Sequence, residues 1–527
     1  MTTSVAVGLS GDSGWILTAA TLVVAGLLLV PGWIVGRAAR LAALPSLAVA
    51  PALSSAIIAA AEILAHTLAL PWLPWGWAVI AGLTAVLALM ARLIVGAPPE
   101  RARRAASPGR AEWAILAAGL TVAVALPAGV ILSVLPSPGY PAQAFDATFH
   151  LNAVAAIREG GNASMLGGLS ALYSGRAVYY PTVWHGVVAL APGSPAPAST
   201  AGVLALTAVV WPLSLLGLFA RATGLDATRA SETDRVHRRQ RTCAVAAVLA
   251  LSAAVVGFPL LPMTALAVWP YALSVAGLPG VLVLYDQLRQ ETASWRLRLT
   301  LVLLTLASAG GVVAAHGTGL FNLAVLSPPF LVNLLVSRWR RCAARRGGRA
   351  LLVAGAVASV LVLVAGAWVM RASLASVLGY QRPAGGVGGI VATLGQALID
   401  LPMYGAVPGA SVPVGIVFGG LTLGAAWSAR AQRDQRPWLV MWLLSLLLVV
   451  LVGGPQWAGR QLGAPWYLQK ARILPLVILP ALVLMVQAGA GRPGRRLWGL
   501  LRRLASRVGG ARPQRAAVAM LAALVLL

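Results

Sequence analysis

Acid–base chemistry needs a carboxylate and an imidazole held close together, and one stretch of the sequence supplies them at helical spacing. In Phe145-Asp146-Ala147-Thr148-Phe149-His150 the acid and the imidazole are four residues apart. No Gly or Pro interrupts the stretch until Gly160-Gly161, so a helix would carry both on one face and stop at the glycines. Such a pair can deprotonate a hydroxyl, or hold a divalent metal near Asp146 and His150. Its bland reading is a surface helix with one Asp–His contact. A second group is Tyr179-Tyr180-Pro181-Thr182-Val183-Trp184-His185. Pro181 holds Tyr180 extended, and the aromatic rings suit either the wall of a sugar site or an ordinary interfacial belt. His316, in Ala315-His316-Gly317, ends an apolar run. The basic candidates are Arg460 in Gln456-Trp457-Ala458-Gly459-Arg460, and Lys470 and Arg472 in Trp466-Tyr467-Leu468-Gln469-Lys470-Ala471-Arg472. A guanidinium fork beside an ammonium clamps phosphate well, while the alternative is side chains snorkelling at a helix end. Glu62 and His66 are also four apart, and Glu62 lies inside an apolar run, where an ionisable group is costly and usually functional. No Walker A, GxSxG, HExxH or paired CxxC motif is present.

The elements that must position these residues are membrane spans. Of 527 residues 59% are hydrophobic and only 10% charged, with mean hydropathy +0.84, which excludes a water-soluble domain. The apolar runs are continuous rather than alternating, which excludes a β-barrel. The formal charge of +27 does not indicate nucleic acid, because the arginines cluster between apolar runs, where positive charge sets topology. Cys243 and Cys342 lie at Arg-rich span ends, so no disulfide framework is expected.

The sequence predicts spans at 15–35, 42–66, 75–95, 113–136, 199–220, 242–260, 266–285, 299–316, 319–336, 350–370, 411–428, 438–453 and 473–490, and a further run that starts at 516. If the N-terminus is outside, 33 of the 40 basic residues fall on the inner side. Only Arg158, Arg176, Arg371, Arg382, Arg460, Lys470 and Arg472 remain outside, in agreement with the positive-inside rule. Two outer loops, 137–198 and 371–410, are too long to be mere connectors. The first contains a run at 184–193 that suits a helix lying in the interface. The expected organisation is N-terminal helices over 1–112, a core with the two outer loops over 113–490, and an Arg-rich inner loop with the start of a last helix over 491–527.

The segment Asp-Ala-x-Phe-His, the Ala-rich helix to Gly-Gly, and Tyr-Tyr-Pro-x-x-Trp-His together resemble a family of actinobacterial multi-pass membrane proteins of unknown function. Ala315-His316-Gly317 and the Trp466 to Arg472 segment are similar to later motifs of that family. In outline the layout is similar to the GT-C superfamily of polyprenyl-phosphate-dependent glycosyltransferases. That likeness implies Asp146 as the catalytic acid residue and Pro181-Thr182-Val183-Trp184 as the start of an interfacial helix.

The expected fold is an all-α polytopic membrane bundle of about 13–14 helices, with the outer segments roofing a cavity. Asp146, His150, His185, His316 and Arg472 should face that cavity. The expected function is transfer of a sugar from a polyprenyl-phosphate lipid to a cell-envelope glycan acceptor at the outer face of the cell membrane. Asp146 would be the base and His150 would orient or relay. Tyr179, Tyr180, Trp184, His185, His316, Arg460 and Tyr467 would bind substrate, and Lys470 and Arg472 would hold the phosphate. A transporter or flippase of a lipid-linked intermediate, and a non-catalytic scaffold, are the other readings.

Overall fold

The computed structural model describes residues 11–96, 109–226, 232–290, 294–342, 348–369, 371–401, 411–492 and 494. In chain order the helices are α1 (Gly11–Ala38), α2 (Ala43–Thr67), α3 (Trp72–Val95), α4 (Arg110–Val134), α5 (Phe145–Gly160), α6 (Val183–Ala189), α7 (Pro195–Thr223), α8 (Glu232–Ser252), α9 (Val256–Met263) and α10 (Trp269–Gln290). They continue with α11 (Trp295–Ala315), α12 (Gly319–Leu326), α13 (Pro328–Cys342), α14 (Gly348–Val369), α15 (Arg371–Leu378), α16 (Gly386–Ile399), α17 (Ser411–Ala429), α18 (Arg436–Gly453) and α19 (Lys470–Ala490), with a 3₁₀ segment, Ala458–Trp466, before the last. Among the described residues there is no strand, only an isolated β-bridge between Leu166 and Tyr179. The protein is an all-α polytopic bundle.

Among the described residues ten helices are long and apolar enough to cross a membrane, and up to twelve spans result if each of two bent pairs counts as one. The bent pairs explain why the count falls below the number of apolar runs. The run at 242–260 breaks between α8 and α9 with a bend of 52°, just before Gly257 and Pro259, which do not favour a continued helix. The run at 319–336 bends by 49° at Ser327, just before Pro328-Pro329. The 350–370 run folds as the 22-residue helix α14. The run that starts at 516 lies outside the described residues.

The core forms around α2, which packs on α1, α7, α10 and α11. Its stripe of Ala48 and Ala52, one turn apart, has almost no exposure. Neighbouring helices press on this stripe through glycine: a Cβ at Gly311 would sit 1.9 Å from the Ala52 carbonyl oxygen, and one at Gly280 2.6 Å from that of Ala48. Backbones approach this closely only where side chains are absent, which is how helices associate when hydrophobic exclusion of water is not available to them.

The two ends of the bundle differ in chemistry. One end collects the arginines at helix termini. There Arg221 pairs with Asp286 at 2.7 Å, Arg289 with Asp286 and Asp434, and Arg238 with Glu112 at 3.2 Å. The other end carries α5, α6, α16, the 3₁₀ segment and the start of α19. Where α16 ends there, the Asp400 carboxylate accepts hydrogen bonds from the N–H groups of Val256 and Gly257, the latter at 2.9 Å. Those donors are left free by the break between α8 and α9, so the acid closes the interrupted span.

Candidate functional site

Helix α5 forms as its sequence suggests: an uninterrupted Ala-rich stretch closed by Gly161 in the left-handed region at φ +64°. Asp146 and His150 lie on one face. His150 is buried, and its Nδ1 is 2.9 Å from Nε2 of His185. The Asp146 carboxylate is 3.5 Å from Nη2 of Arg472, which is 326 positions further along the chain, and its side chain is 38% exposed. At the other end of α5, Arg158 donates to the carbonyls of Val188, Ala189 and Ala191. These carbonyls lie at and just beyond the end of α6, so this arginine ties the two helices together.

Helix α6 carries His185. Its seven residues are all buried, so the expected helix at 184–193 does not lie on the interface: it ends at Ala189 and is plugged into the protein. An interfacial helix needs a polar face, and apart from His185 this one has only Trp, Gly, Val and Ala. Its seat is cut by Glu62 of α2. The Thr182 hydroxyl donates to Glu62 Oε2 at 2.9 Å, while a Cβ on Gly186 would fall 2.0 Å from Oε1. The indole N–H of Trp72 donates to the Gly186 carbonyl at 2.9 Å. Glu62 and His66, four residues apart, part company: Glu62 is buried against α6, whereas His66 is exposed beyond the packed part of α2.

The third contributor is the start of α19. Tyr467 and Leu468 are both left-handed, at φ +56° and +50°, a strained turn for two residues with side chains. It swings the Tyr467 ring over the Arg472 guanidinium, 4.7 Å from its centroid, with the Tyr271 ring at 5.7 Å. Arg472 Nε donates to Gln469 Oε1 at 2.7 Å, and the Tyr271 hydroxyl donates to the Arg472 carbonyl. His316 follows α11 and meets the Tyr271 ring edge-on at 5.5 Å; its Nδ1 accepts from the Thr318 N–H at 3.1 Å, so its proton is on Nε2. Around the imidazoles stand Phe149, Tyr180, Trp184 and Trp269, with Phe149 and Tyr180 4.9 Å apart.

Burial dominates the electrostatics of the imidazoles. It lowers the pKa of His150 to about 3, with the Arg472 charge adding to the effect. His316 falls to about 3 by burial, then by Arg472 and His150. His185 lies well below its usual range, again by burial first and then by His150. All three are neutral at pH 7. Burial raises the Tyr180 phenol, which stays a hydrogen-bond donor.

The structure thus gathers Asp146, His150, Tyr180, His185, His316, Tyr467 and Arg472 into one neighbourhood. The other four predicted residues are placed differently from the expectation. Arg460 is buried and spends its donors on the carbonyls of Val452, Arg382 and Pro383 and on Gln456, so it fastens the 382–383 segment instead of facing a ligand. Lys470 points toward α16, where Nζ donates to Gln396 Oε1 at 2.8 Å. Tyr179 is 55% exposed and faces away from Tyr180, as neighbours in an extended segment do. Trp184 is buried with its ring tilted 31° to that of Trp269 at 4.7 Å, packed against the imidazoles and not a wall open to substrate. The sequence reading missed Tyr271, Trp269 and Gln469. Trp269-Pro270-Tyr271 repeats the aromatic–Pro pattern of 179–181 at a span end, and that was the available signal. A metal does not fit: Asp146 faces a guanidinium, His150 is bonded to another imidazole, and among the described residues no group of three or more His, Cys, Asp or Glu is spaced to hold one.

A family model matches residues 25–527, and the chain belongs to that family, described as a family of unknown function (DUF6541). No curated protein and no solved structure matches it.

Proposed function

We propose that this protein is a lipid-linked sugar transferase with a GT-C-like layout. The Arg-rich end would be cytoplasmic, by the positive-inside rule, and the α5–α6–α19 end would face outward at the level of the lipid headgroups. The observation behind the proposal is the Asp146–Arg472 pair, a partly water-reachable carboxylate beside a guanidinium set between two tyrosine rings. Arg472 lies in the first turn of α19, where the helix dipole also favours an anion. In the proposed reaction Asp146 takes the proton of an acceptor hydroxyl. The oxygen attacks the anomeric carbon, the bond to the phosphate oxygen breaks, and Arg472 stabilises the departing polyprenyl phosphate. Tyr180 and Tyr467 would flank the sugar. Lys470, engaged with Gln396, is left out of this role.

The test is sugar transfer in proteoliposomes supplied with radiolabelled polyprenyl-phosphate sugars and cell-envelope glycan acceptors. Transfer by the wild type and its loss in Asp146→Asn support the proposal. No transfer with any donor, while Asp146→Asn still complements a deletion strain, defeats it.

One observation favours the transporter reading: a broken span whose freed N–H groups are held by Asp400, with Glu62 buried in a second span. Interrupted helices and buried acids mark substrate pathways in many carriers. Lipid flipping without transfer in the same proteoliposomes would select it.

A further inference from the structure

We propose that His316 is a second ligand for the lipid phosphate at Arg472, donating its Nε2–H to a phosphate oxygen. This role rests on anion binding at Arg472 and adds a residue that the proposed reaction does not use.

His316 and Arg472 are far apart in the chain, yet hydrogen bonds fasten their segments together. The Thr318 hydroxyl donates to the Pro465 carbonyl at 3.1 Å, and the Trp466 indole N–H donates to Asn322 Oδ1 at 2.8 Å. The turn that follows α11 is thus fixed to the stretch of chain that runs straight into Tyr467 and Arg472. Tyr271 fills the angle between the two side chains. Its hydroxyl donates to the Arg472 carbonyl, its ring meets the His316 ring edge-on at 5.5 Å, and the guanidinium lies 5.7 Å from its centroid.

The imidazole is held in one tautomer. Nδ1 accepts from the Thr318 N–H at 3.1 Å, so the hydrogen is on Nε2. Among the described residues no group accepts from that N–H. Nor is Nε2 sealed in the core, as Nδ1 of His185 is. The next residue, Gly317, is exposed, and a Cβ there would meet nothing within 4 Å, so the ring borders open space. A free donor in such a place is met by water or by a ligand. Arg472 is in a matching state. Its Nε is engaged with Gln469, while its Nη2 makes only a long contact of 3.5 Å with Asp146. Burial and the Arg472 charge keep the imidazole neutral at pH 7. A neutral donor adds a hydrogen bond without setting a second cation beside the guanidinium, where like charges would repel. A phosphate, with several acceptor oxygens on one centre, takes both the fork and the N–H.

The experiment titrates farnesyl phosphate into the purified protein in phosphatidylcholine nanodiscs, by calorimetry and by imidazole NMR on its five labelled histidines. His316→Asn keeps a carbonyl oxygen near the place of Nδ1 for the Thr318 N–H but removes the outer donor. Its affinity should fall roughly ten- to hundredfold, as for a hydrogen bond to a charged partner. His316→Gln carries an amide N–H to the place of Nε2 and should keep most of the affinity. A residue that only caps the turn would give the reverse order. In the wild type the His316 Nε2–H proton, identified by its loss in the variants, should move downfield on binding while Nδ1 stays unprotonated. Farnesol, which has the tail without the phosphate, should not move it. Inorganic phosphate binding as tightly as farnesyl phosphate would assign the site to free phosphate and overturn the lipid ligand. Wild-type affinity in His316→Asn, or an unmoved Nε2–H, overturns the second ligand alone. Affinity that is unchanged in Arg472→Gln overturns the anion site and the role of His316 together.

Discussion

Gly186→Ala tests whether α6 is seated as described. The new Cβ would lie 2.0 Å from Glu62 Oε1, 3.1 Å from its Cδ and 3.4 Å from the Ala163 Cβ. About 1 Å of movement is needed to restore a contact of ordinary length, and the core offers none freely. If the carboxyl group swings away it leaves the Thr182 hydroxyl, and a buried partner left unsatisfied costs roughly 1–3 kcal/mol. If α6 moves instead, it pulls the Gly186 carbonyl from Trp72 and carries His185 with it, at a similar overpacking cost of about 1–3 kcal/mol. The expected destabilisation is therefore about 2 kcal/mol, read by tryptophan fluorescence during sodium dodecyl sulfate unfolding. Glu62→Ala opens the space, so the double variant should recover about 1 kcal/mol or more of the loss. A Gly186→Ala protein as stable as wild type, or strictly additive effects in the double variant, would refute the seat.

Three further outcomes are expected. Asp146→Asn should fold normally and lose sugar transfer on the order of 10²–10⁴-fold, as for a positioned base. Asp400 is pushed up to about 7 by burial, so the folded state holds its proton more tightly than the unfolded chain does; stability should be greatest below about pH 4 and fall as pH rises toward 7, and Asp400→Asn should flatten that slope in pH-dependent unfolding. Single cysteines at 160–165, with Cys243 and Cys342 replaced, should label in intact cells; labelling only after permeabilisation would reverse the topology.

The helices were legible in the sequence because apolar runs of membrane length leave the backbone little alternative to a helix. The α5 stop was legible in Gly160-Gly161. So was the convergence of Asp146, His150, His185, His316 and Arg472, since each lies at a span end or in a loop on the same side. What was not legible was who satisfies whom. Arg460, Lys470 and Arg472 are alike in sequence as basic residues beside aromatics, yet one is consumed by carbonyls, one by Gln396, and only one meets Asp146. Tyr271 was not legible because its role depends on a carbonyl 201 positions away. The burial of α6 depends on Glu62 fitting against a single glycine, and no local pattern announces that.

The central claim is that Asp146 and Arg472 form one anion site at the outer end of the bundle. The most direct measurement is a cryo-electron microscopy map of the protein in nanodiscs with farnesyl phosphate. The account predicts phosphate density within hydrogen-bond distance of the Arg472 guanidinium, with Tyr467 beside it and the Asp146 carboxylate at the rim. Density held instead at Lys470 and Gln396, or Asp146 and Arg472 on opposite sides of the bundle, would contradict it.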